Sequence, residues 1–199
     1  MPRTGLSQEE LRERALEVTL AQLRKVGSEK LRLVDVAKAM DVKHTSLYPH
    51  FANKAALVDA VTAKWLLESE EALAKVCAMD LPARERVEQW FMTRYTMNRD
   101  RALNDAEVFH AYNLASDAKQ PAVVHHLAAL RQQMADLMRE LGYEGDTAME
   151  RARMILRAMV FFIHPAMIAG HAEEDHLAHL RDTLDCLLDG MKIRDGLTF

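Results

Sequence analysis

Apolar residues recur at intervals of three and four positions along almost the whole chain, which is the spacing of one face of an α-helix. Two of the clearest stripes are Leu11, Ala15, Val18 and Leu23, and, further along, Val87, Trp90, Phe91 and Tyr95. No segment alternates apolar and polar residues with the β-branched enrichment that is typical of a strand. The pattern therefore predicts an all-α fold.

Capping residues, glycines and prolines divide this pattern into nine predicted helices. Ser7 and Glu10 form a capping box that opens the first helix, and Gly27 follows the end of that helix. Asn53 is a good N-cap for the fourth helix, and Asp146 is the predicted cap of the eighth. The nine helices are predicted at about residues 8–26, 34–40, 44–50, 54–79, 83–99, 102–118, 121–141, 147–170 and 175–191.

Residues 33–54 have the pattern of two short helices joined by a tight turn and followed directly by a longer helix. The first short helix presents an apolar face made of Val34, Val36, Ala37 and Met40. The turn begins at Asp41, and the second helix is predicted from His44 to His50 with Leu47 and Phe51 facing inward. A turn that holds two helices at a large angle lets the second helix enter the major groove of DNA.

The same segment closely resembles the N-terminal signature of the tetracycline-repressor (TetR) family of bacterial transcription regulators. The matching residues are Val36, Ala37, Leu47, Tyr48, Phe51, Lys54 and Leu57. The resemblance is specific over residues 9–69 and architectural beyond them. It implies a DNA-binding head at residues 9–69, with its helix-turn-helix at about 32–51. It also implies a body at residues 81–199 that binds a small molecule and forms a two-fold dimer.

Three features depart from the usual pattern of the family. Asp41 stands where the turn usually has glycine, and Asp is among the few other residues that tolerate a left-handed backbone. Arg32 and Lys43 replace the hydroxyl residues that usually cap the two short helices, and they add positive charge where phosphates would lie. Pro49 lacks an N–H group, so we predict a recognition helix that ends or kinks near Tyr48. The alternative is that a terminal helical turn accepts the proline without consequence.

The formal net charge of −4 conceals an asymmetry between the two ends of the chain. Residues 1–54 hold ten Lys or Arg and seven Asp or Glu, which gives +3. The other residues hold sixteen basic and twenty-three acidic side chains, which gives −7. A basic head on an acidic body is the distribution that phosphate binding by one end needs.

Three features indicate the cellular compartment. Cys77 and Cys186 lie far apart and do not form a disulfide framework. The chain does not open with an apolar signal segment, and its longest apolar run is too short to span a bilayer. We expect a cytoplasmic protein that makes no membrane contact.

The second helix of the motif offers short polar side chains at its start, where a recognition helix meets base edges. We predict base contacts from His44, Thr45 and Ser46. Phosphate contacts, which position a protein without specifying sequence, are predicted from Arg32, Lys43, Tyr48, His50 and Lys54. The alternative for this group is a solvated helix face with no role in binding.

The family resemblance implies an inducer site among the helices of the body. Inward-facing aromatic, sulfur-containing and polar residues in that part of the chain suit an apolar or aromatic ligand. The candidates are Trp90, Phe91, Tyr95, Phe109, Tyr112, Asn113, Met134, Met159 and Phe162. For each residue taken alone, ordinary core packing is the competing interpretation.

Metal binding and catalysis find little support in the sequence. Four histidines near the C-terminus lack the spacing expected of metal ligands on one helical face: His164, His171, His176 and His179. The sequence contains no glycine-rich phosphate loop, no Gly-x-Ser-x-Gly elbow and no plausible Cys–His pair. We expect no metal, no cofactor and no catalytic residue.

The last two predicted helices are too apolar for two surface helices of a monomer. Their apolar stripes are Ile155, Ala158, Met159, Phe162 and Ile163, then Leu177, Leu180, Leu184, Leu187, Leu188 and Met191. Part of that surface is expected to pack against a second copy of the chain.

These features predict a homodimeric, ligand-responsive repressor of transcription. Its partners would be a palindromic double-stranded DNA operator and a small apolar or aromatic inducer that releases the operator. Two alternatives stay open. One is a related regulator without a small-molecule inducer, and the other is a small helical enzyme or carrier with an incidental helix-turn-helix.

Overall fold

The structure, a computed structural model, describes residues 6–117 and 120–198. Within these ranges the chain forms ten α-helices and one 3-10 helix, and no strand. The α-helices are α1 (Gln8–Lys30), α2 (Leu33–Ala39), α3 (Lys54–Cys77), α4 (Ala83–Asn104), α5 (Ala106–Asp117), α6 (Pro121–Glu140), α7 (Gly145–Ala158), α8 (Val160–Ile163), α9 (Pro165–Gly170) and α10 (Leu177–Asp195). The predicted all-α fold is confirmed. The sixth predicted helix extended to residue 118, which lies outside the described residues.

The start of α1 is the predicted capping box. Ser7 accepts a hydrogen bond from the Glu10 N–H at 3.2 Å, and the Ser7 N–H donates to the Glu10 carboxylate at 2.7 Å. The Ser7 backbone N–H, followed by the Ser7 side chain, lowers the pKa of the Glu10 carboxyl by hydrogen bonding. Gly27 leaves helical geometry at φ 76° and ψ 168°, after which one further turn reaches Lys30. The first helix is therefore kinked at Gly27, and helical structure continues beyond the predicted end.

The turn after α2 has the geometry that Asp41 was predicted to tolerate. Asp41 has φ 55°, and its N–H donates to the Lys38 carbonyl at 3.1 Å. The Val42 N–H donates to the Ala37 carbonyl at 3.0 Å, which completes a Schellman motif with Asp41 at its left-handed position.

The inward face of α2 differs from the prediction at one position. Leu33 is buried, whereas Val34 is 53% exposed and was wrongly placed on the apolar face. The helix begins one residue earlier than predicted, and its core face is Leu33, Val36 and Ala37. The spacing itself favours Leu33, because Val36, Ala37 and Met40 follow it at three, four and seven positions along one helical face.

The predicted second helix, His44 to His50, is wrong in extent. It is a 3-10 helix at His44–Ser46, and a turn then runs through His50. The Phe51 N–H donates to the Leu47 carbonyl at 2.8 Å and closes this turn. Pro49 has no N–H to continue a helical ladder, so the predicted shortening of the recognition helix is confirmed.

The predicted single helix at 147–170 is also wrong, because the segment forms α7, α8 and α9. The break after α7 is at Met159, with φ −88° and ψ 13°. The next break is at His164, which is extended because it precedes Pro165. Asp146 is not the cap of α7, which begins at Gly145 without a side-chain cap.

The described residues divide into two compact units. The first unit comprises residues within Met1–Leu66 and Asp105–Val123. Its core contains Leu11, Ala15, Leu23, Val36, Leu47, Phe51, Leu57, Trp65, Phe109 and Tyr112. Helix α5 packs against α1, and Arg24 donates to both carboxylate oxygens of Asp105 at 2.5 and 2.9 Å. This ion pair fixes the start of α5 on α1.

The second unit comprises residues within Leu67–Asn104 and Val124–Phe199. Its core contains Leu73, Val87, Trp90, Phe91, Tyr95, Leu130, Met134, Leu137, Met138, Ala152, Ile155, Met159, Phe162, Leu180, Leu184, Leu188 and Met191. The stripe of α10 is therefore buried within one protomer. Leu180, Leu184 and Leu188 lie on the stripes from which part of an interface with a second copy was expected, and their own chain covers them. None of the helices in the described ranges is long and apolar enough to span a membrane.

We predict that Asp41→Val lowers the free energy of unfolding by about 1–2 kcal/mol, because a β-branched side chain is strained at positive φ. Asp41→Gly removes the same carboxylate but accepts φ 55° without strain, so its stability should equal or exceed that of the wild type. Urea unfolding followed by circular dichroism measures both. Equal stabilities for the Val and Gly variants would contradict the strain argument.

Candidate functional site

The 3-10 helix and the turn after it present a polar face to solvent. The side chains of Lys43, His44, Thr45 and Tyr48 are exposed, and Ser46 is half-buried. The His44 ring lies edge-on to the Tyr48 ring, with centroids 6.0 Å apart and an interplanar angle of 81°. Most of the residues predicted to read or flank DNA are therefore brought together on one surface.

This face is held from below by two apolar anchors. Leu47 and Phe51, at either end of the turn, are almost completely buried in the core of the first unit. The 3-10 helix contributes only two short-range hydrogen bonds, from Ser46 to Lys43 and from Leu47 to His44. Burial of Leu47 and Phe51, more than helical hydrogen bonding, therefore fixes the direction of the polar face.

Arg32 is exposed at the start of α2, but its guanidinium is engaged within its own helix. Its Nε and Nη2 atoms donate to the two carboxylate oxygens of Asp35 at 2.7 and 2.9 Å. These hydrogen bonds hold the pKa of the Asp35 carboxyl below its usual value. A phosphate contact from Arg32 would have to share or displace this carboxylate.

Lys54 lies in the first turn of α3, which Asn53 caps by accepting from the Ala56 N–H at 2.9 Å. The Lys54 ammonium donates to the backbone carbonyl of Glu29 in the last turn of α1 at 2.9 Å. Lys54 therefore ties α3 to α1 in addition to any role toward DNA. An ammonium has three donors, so this bond leaves capacity for a phosphate.

His50 is less suited to the predicted phosphate contact than the other residues. It is half-buried, its ring centroid lies 6.2 Å from that of Phe51, and its Nε2 atom is buried without a hydrogen bond. Its side chain faces the core of the first unit more than the polar surface.

The nine residues predicted to line a ligand site divide between the two units. Six are buried in the core of the second unit: Trp90, Phe91, Tyr95, Met134, Met159 and Phe162. Phe109 and Tyr112 belong to the first unit, where their ring centroids lie 5.9 and 5.4 Å from that of Trp65. Asn113 is half-buried on α5 of the same unit.

Helix α4 also fixes the irregular segment that precedes α10. The Tyr95 hydroxyl accepts from the His176 N–H at 2.9 Å and donates to the Glu174 carbonyl at 3.3 Å. Asn98 donates to the Ile163 carbonyl at 3.1 Å, and Arg99 donates to the Ala172 carbonyl at 2.7 Å. The Tyr95 hydroxyl therefore has a structural role in this unit.

A buried polar group in the second unit, which we call the Arg94 cluster, consists of Ser69, Glu70, Arg94 and His126. The Nη1 atom of Arg94 lies 3.3 Å from Ser69 Oγ and 3.4 Å from His126 Nε2. The other ring nitrogen of His126, Nδ1, lies 2.8 Å from Glu70 Oε1. A carboxylate only accepts, so Nδ1 carries the proton and Nε2 accepts from the guanidinium.

Burial, together with nearby positive charges, keeps His126 neutral. Burial, followed by the positive charges of Arg94, Arg101 and His125, lowers the pKa of His126 to about 3. Burial raises the pKa of Glu70. The bond between His126 and Glu70 is therefore a hydrogen bond from a neutral ring and not an ion pair.

The backbone of the cluster is held by a second polar chain. Trp90 Nε1 donates to Gln133 Oε1 at 3.0 Å, and Gln133 Nε2 donates to the Glu70 carbonyl at 3.1 Å. Sequence reasoning missed the Arg94 cluster. The sequence did contain a signal for the cluster, namely a polar residue at a position where the helical spacing predicts burial. Arg94 falls on the apolar stripe of α4, and His126 falls on that of α6.

The C-terminal histidines lie close together without forming a ligand set. The ring centroid of His176 is 6.1 Å from that of His171 and 5.9 Å from that of His179. In the part of the chain that the structure describes, no three side chains of His, Cys, Asp or Glu are grouped so that they could hold a metal ion.

Two family models match the sequence. Residues 15–61 match the model described as bacterial regulatory proteins, tetR family, and residues 83–183 match the model described as tetracyclin repressor-like, C-terminal domain. No curated protein matches the sequence.

Several solved structures share the fold at low sequence identity. A proposed transcriptional regulator from Pseudomonas aeruginosa PAO1 is 17% identical with a TM-score of 0.75, over 96% of this chain and 94% of its own. FadR from Thermus thermophilus, a TetR-family repressor in complex with lauroyl-CoA, is 18% identical with a TM-score of 0.64, over 90% and 94%. FadR from Bacillus subtilis, in complex with stearoyl-CoA, is 13% identical with a TM-score of 0.63, over 89% and 98%.

We predict that the second unit loses stability as the pH falls below 6.5. The unfolded chain protonates His126 near pH 6.5, whereas the folded chain resists protonation until about pH 3. The folded state thus binds fewer protons in this window, and the limiting slope is about 1.4 kcal/mol per pH unit. Urea unfolding at several pH values between 6.5 and 5 measures the slope. The raised pKa of Glu70 acts in the opposite direction where Glu70 titrates, so the measurement is confined to the upper part of the His126 window.

His126→Gln should reduce this slope, and His179→Gln, at an exposed position on α10, should leave it unchanged. A slope that is the same in the wild type and in His126→Gln would show that the imidazole is not held neutral by the fold.

Proposed function

This chain belongs to the tetR family of bacterial regulatory proteins, whose N-terminal domain binds DNA, and we propose that it is a homodimeric, ligand-responsive repressor of transcription. The observation that carries the proposal is the exposed polar face of Lys43, His44, Thr45 and Tyr48. It follows a Schellman turn and precedes the Asn53-capped start of α3. We expect it to act in the cytoplasm, where its operator lies.

In the proposal, the residues of this face and its neighbours divide into a group that contacts bases and a group that contacts phosphates. His44, Thr45 and Ser46 reach base edges, because they occupy the start of the shortened recognition segment. Lys43, Tyr48, Arg32 and Lys54 contact phosphate oxygens. Pro49 limits the base-reading part to about one turn, so we expect a short conserved core in each half-site.

A second copy of the chain would supply the other half-site of a palindrome. Support comes from apolar side chains that stay exposed on α8 and α9, namely Val160, Phe161 and Met167. These residues take the place of the α10 stripe, which the protomer itself covers. The two heads then read a site whose spacing depends on the dimer.

The inducer in this proposal is a small molecule with a large apolar part. Support comes from the six buried aromatic and methionine side chains of the second unit and from the two FadR structures with bound acyl-CoA thioesters. The alternative is a regulator of this family without a small-molecule inducer. A screen in which no small molecule releases the protein from its operator would support that alternative.

The proposal is tested by selecting duplex DNA that binds the purified protein and measuring affinity as a function of salt. We expect palindromic sites, and Lys43→Ala should lower the slope of log affinity against log salt by about one, since one phosphate contact is lost. Lys75→Ala, an exposed lysine of the second unit, is the matched control. No selected duplex, or an unchanged slope for Lys43→Ala, would contradict the proposed interface.

Asp35→Asn tests whether Arg32 faces phosphate. Removing the carboxylate frees the guanidinium and deletes a negative charge near DNA, so affinity for all duplexes should rise and the salt slope should increase by up to about one. Asp182→Asn, an exposed position on α10, controls for the general change in net charge. If both variants bind DNA like the wild type, Arg32 lies outside the interface.

A further inference from the structure

The guanidinium of Arg94 is a buried cation in the core of the second unit, where the polar side chains of Ser69, Asn98 and His126 are also buried. Arg94 is 4% exposed, and Trp90 lies one helical turn before it on α4. Removing a guanidinium from water is costly unless charges and hydrogen bonds in the protein compensate for the loss. A fixed charge surrounded by apolar and aromatic side chains is complementary to an amphipathic ion of opposite sign.

Glu70 is the carboxylate that the cluster holds now, and it is the partner of His126. Its Oε1 atom accepts from His126 Nδ1 at 2.8 Å, and His126 Nε2 in turn faces Arg94 Nη1 at 3.4 Å. Arg94, Arg101 and His125 all act on His126 as positive charges. The imidazole therefore lies in a positive environment although a carboxylate is bound to it.

We propose that the Arg94 cluster is the binding site for the carboxylate of an amphipathic monoanionic ligand, which replaces Glu70 beside His126 and Arg94. The inference rests on the proposed ligand-responsive function and names the chemical class of the inducer. The incoming carboxylate accepts from His126 Nδ1, as Glu70 does, and pairs with the guanidinium. The apolar part of the ligand packs among aromatic side chains such as Trp90 and Phe91.

The charge of the cluster selects a monoanion. One carboxylate leaves and one arrives, so the buried charge is unchanged by the exchange. A carboxylate also has two oxygens in the planar arrangement that a guanidinium fork matches. A phosphate dianion would leave an additional negative charge in the core, which is unfavourable there.

The exchange has a consequence for α3. Ser69 and Glu70 lie on this helix, and they are its polar contacts to Arg94 on α4 and His126 on α6. The same helix begins at Lys54, shortly after Lys43, His44, Thr45 and Tyr48, which are proposed to contact DNA. A ligand that displaces Glu70 therefore removes the hydrogen bond between Glu70 on α3 and His126 on α6. The ligand-free and ligand-bound states then differ in the contacts of α3, and such a difference is what coupling between a ligand site and a DNA site requires.

The test is anion rescue of Glu70→Ala in the full-length protein, with formate and acetate as probes. These ions are small enough to act whatever the shape of the natural ligand. At about ten times its dissociation constant, the rescuing ion should raise the Tm of Glu70→Ala by about 3 °C. Acetamide, and chloride at equal ionic strength, should not. The wild type and Glu71→Ala, an exposed position on the same helix, should show no specific response.

Two further measurements compare the affinity of amphipathic carboxylates for variants of the cluster, and they test the inference independently of anion rescue. Glu70→Gln preserves side-chain volume and should bind decanoate or 4-phenylbutyrate at least about tenfold more tightly than the wild type, since the resident competitor is gone. Arg94→Lys, which retains the charge but not the planar fork, should weaken binding of the same probe by about tenfold or more in the Glu70→Gln background.

Failure of rescue in a folded Glu70→Ala, together with equal probe affinity in the wild type and Glu70→Gln, would overturn the inference. Operator binding is measured in parallel without any anion. Operator binding combined with both of these negative results would refute the carboxylate site and leave the proposed regulator intact. Absence of binding to any duplex would refute the proposed regulator itself.

Discussion

Burial of Leu47 and Phe51 is the interaction on which the exposed polar face of the helix-turn-helix depends. A 3-10 helix of three residues has too few hydrogen bonds to hold its own direction. Full burial of a leucine or phenylalanine side chain contributes about 1.5–3 kcal/mol, so these two anchors outweigh the local hydrogen bonds. The Schellman turn at Asp41 and the Asn53 cap then fix the chain on either side of the anchored segment.

In the first unit, buried apolar side chains hold a polar face at the surface. In the second unit, polar groups are themselves buried within an apolar core. Arg94 and His126 occupy positions on helical stripes where the surrounding residues are apolar. They are tolerated because Ser69, Glu70 and the imidazole tautomer satisfy one another through a continuous chain of hydrogen bonds. Such a chain has few alternative arrangements, so a change at one member is felt at the others. Helix α3 contributes two of the members, and it also carries Lys54, whose ammonium holds the end of α1.

The starts and ends of several helices, and the helix-turn-helix motif, could be predicted from the sequence because they depend on local chemistry. The Ser7–Glu10 box, the left-handed Asp41 and the Asn53 cap each follow from the preferences of one or two side chains. Pro49 shortened the recognition helix for an equally local reason, its missing N–H. The break at Met159 was missed because the apolar pattern continues through it, whereas the break at His164 had a local signal in Pro165 that the helix assignment overlooked.

The sequence by itself determined the all-α fold, the helix-turn-helix and the residues of its polar face, since periodicity and capping act within a few residues. Tertiary structure decided which partner each apolar stripe has. Most of the stripe of α10 is buried in its own protomer, and the described residues of 105–123 belong with the first unit. It also brought Glu70, Arg94 and His126 together from three helices. A spacing of three and four residues identifies a face of a helix, but what covers that face depends on contacts distant in the chain.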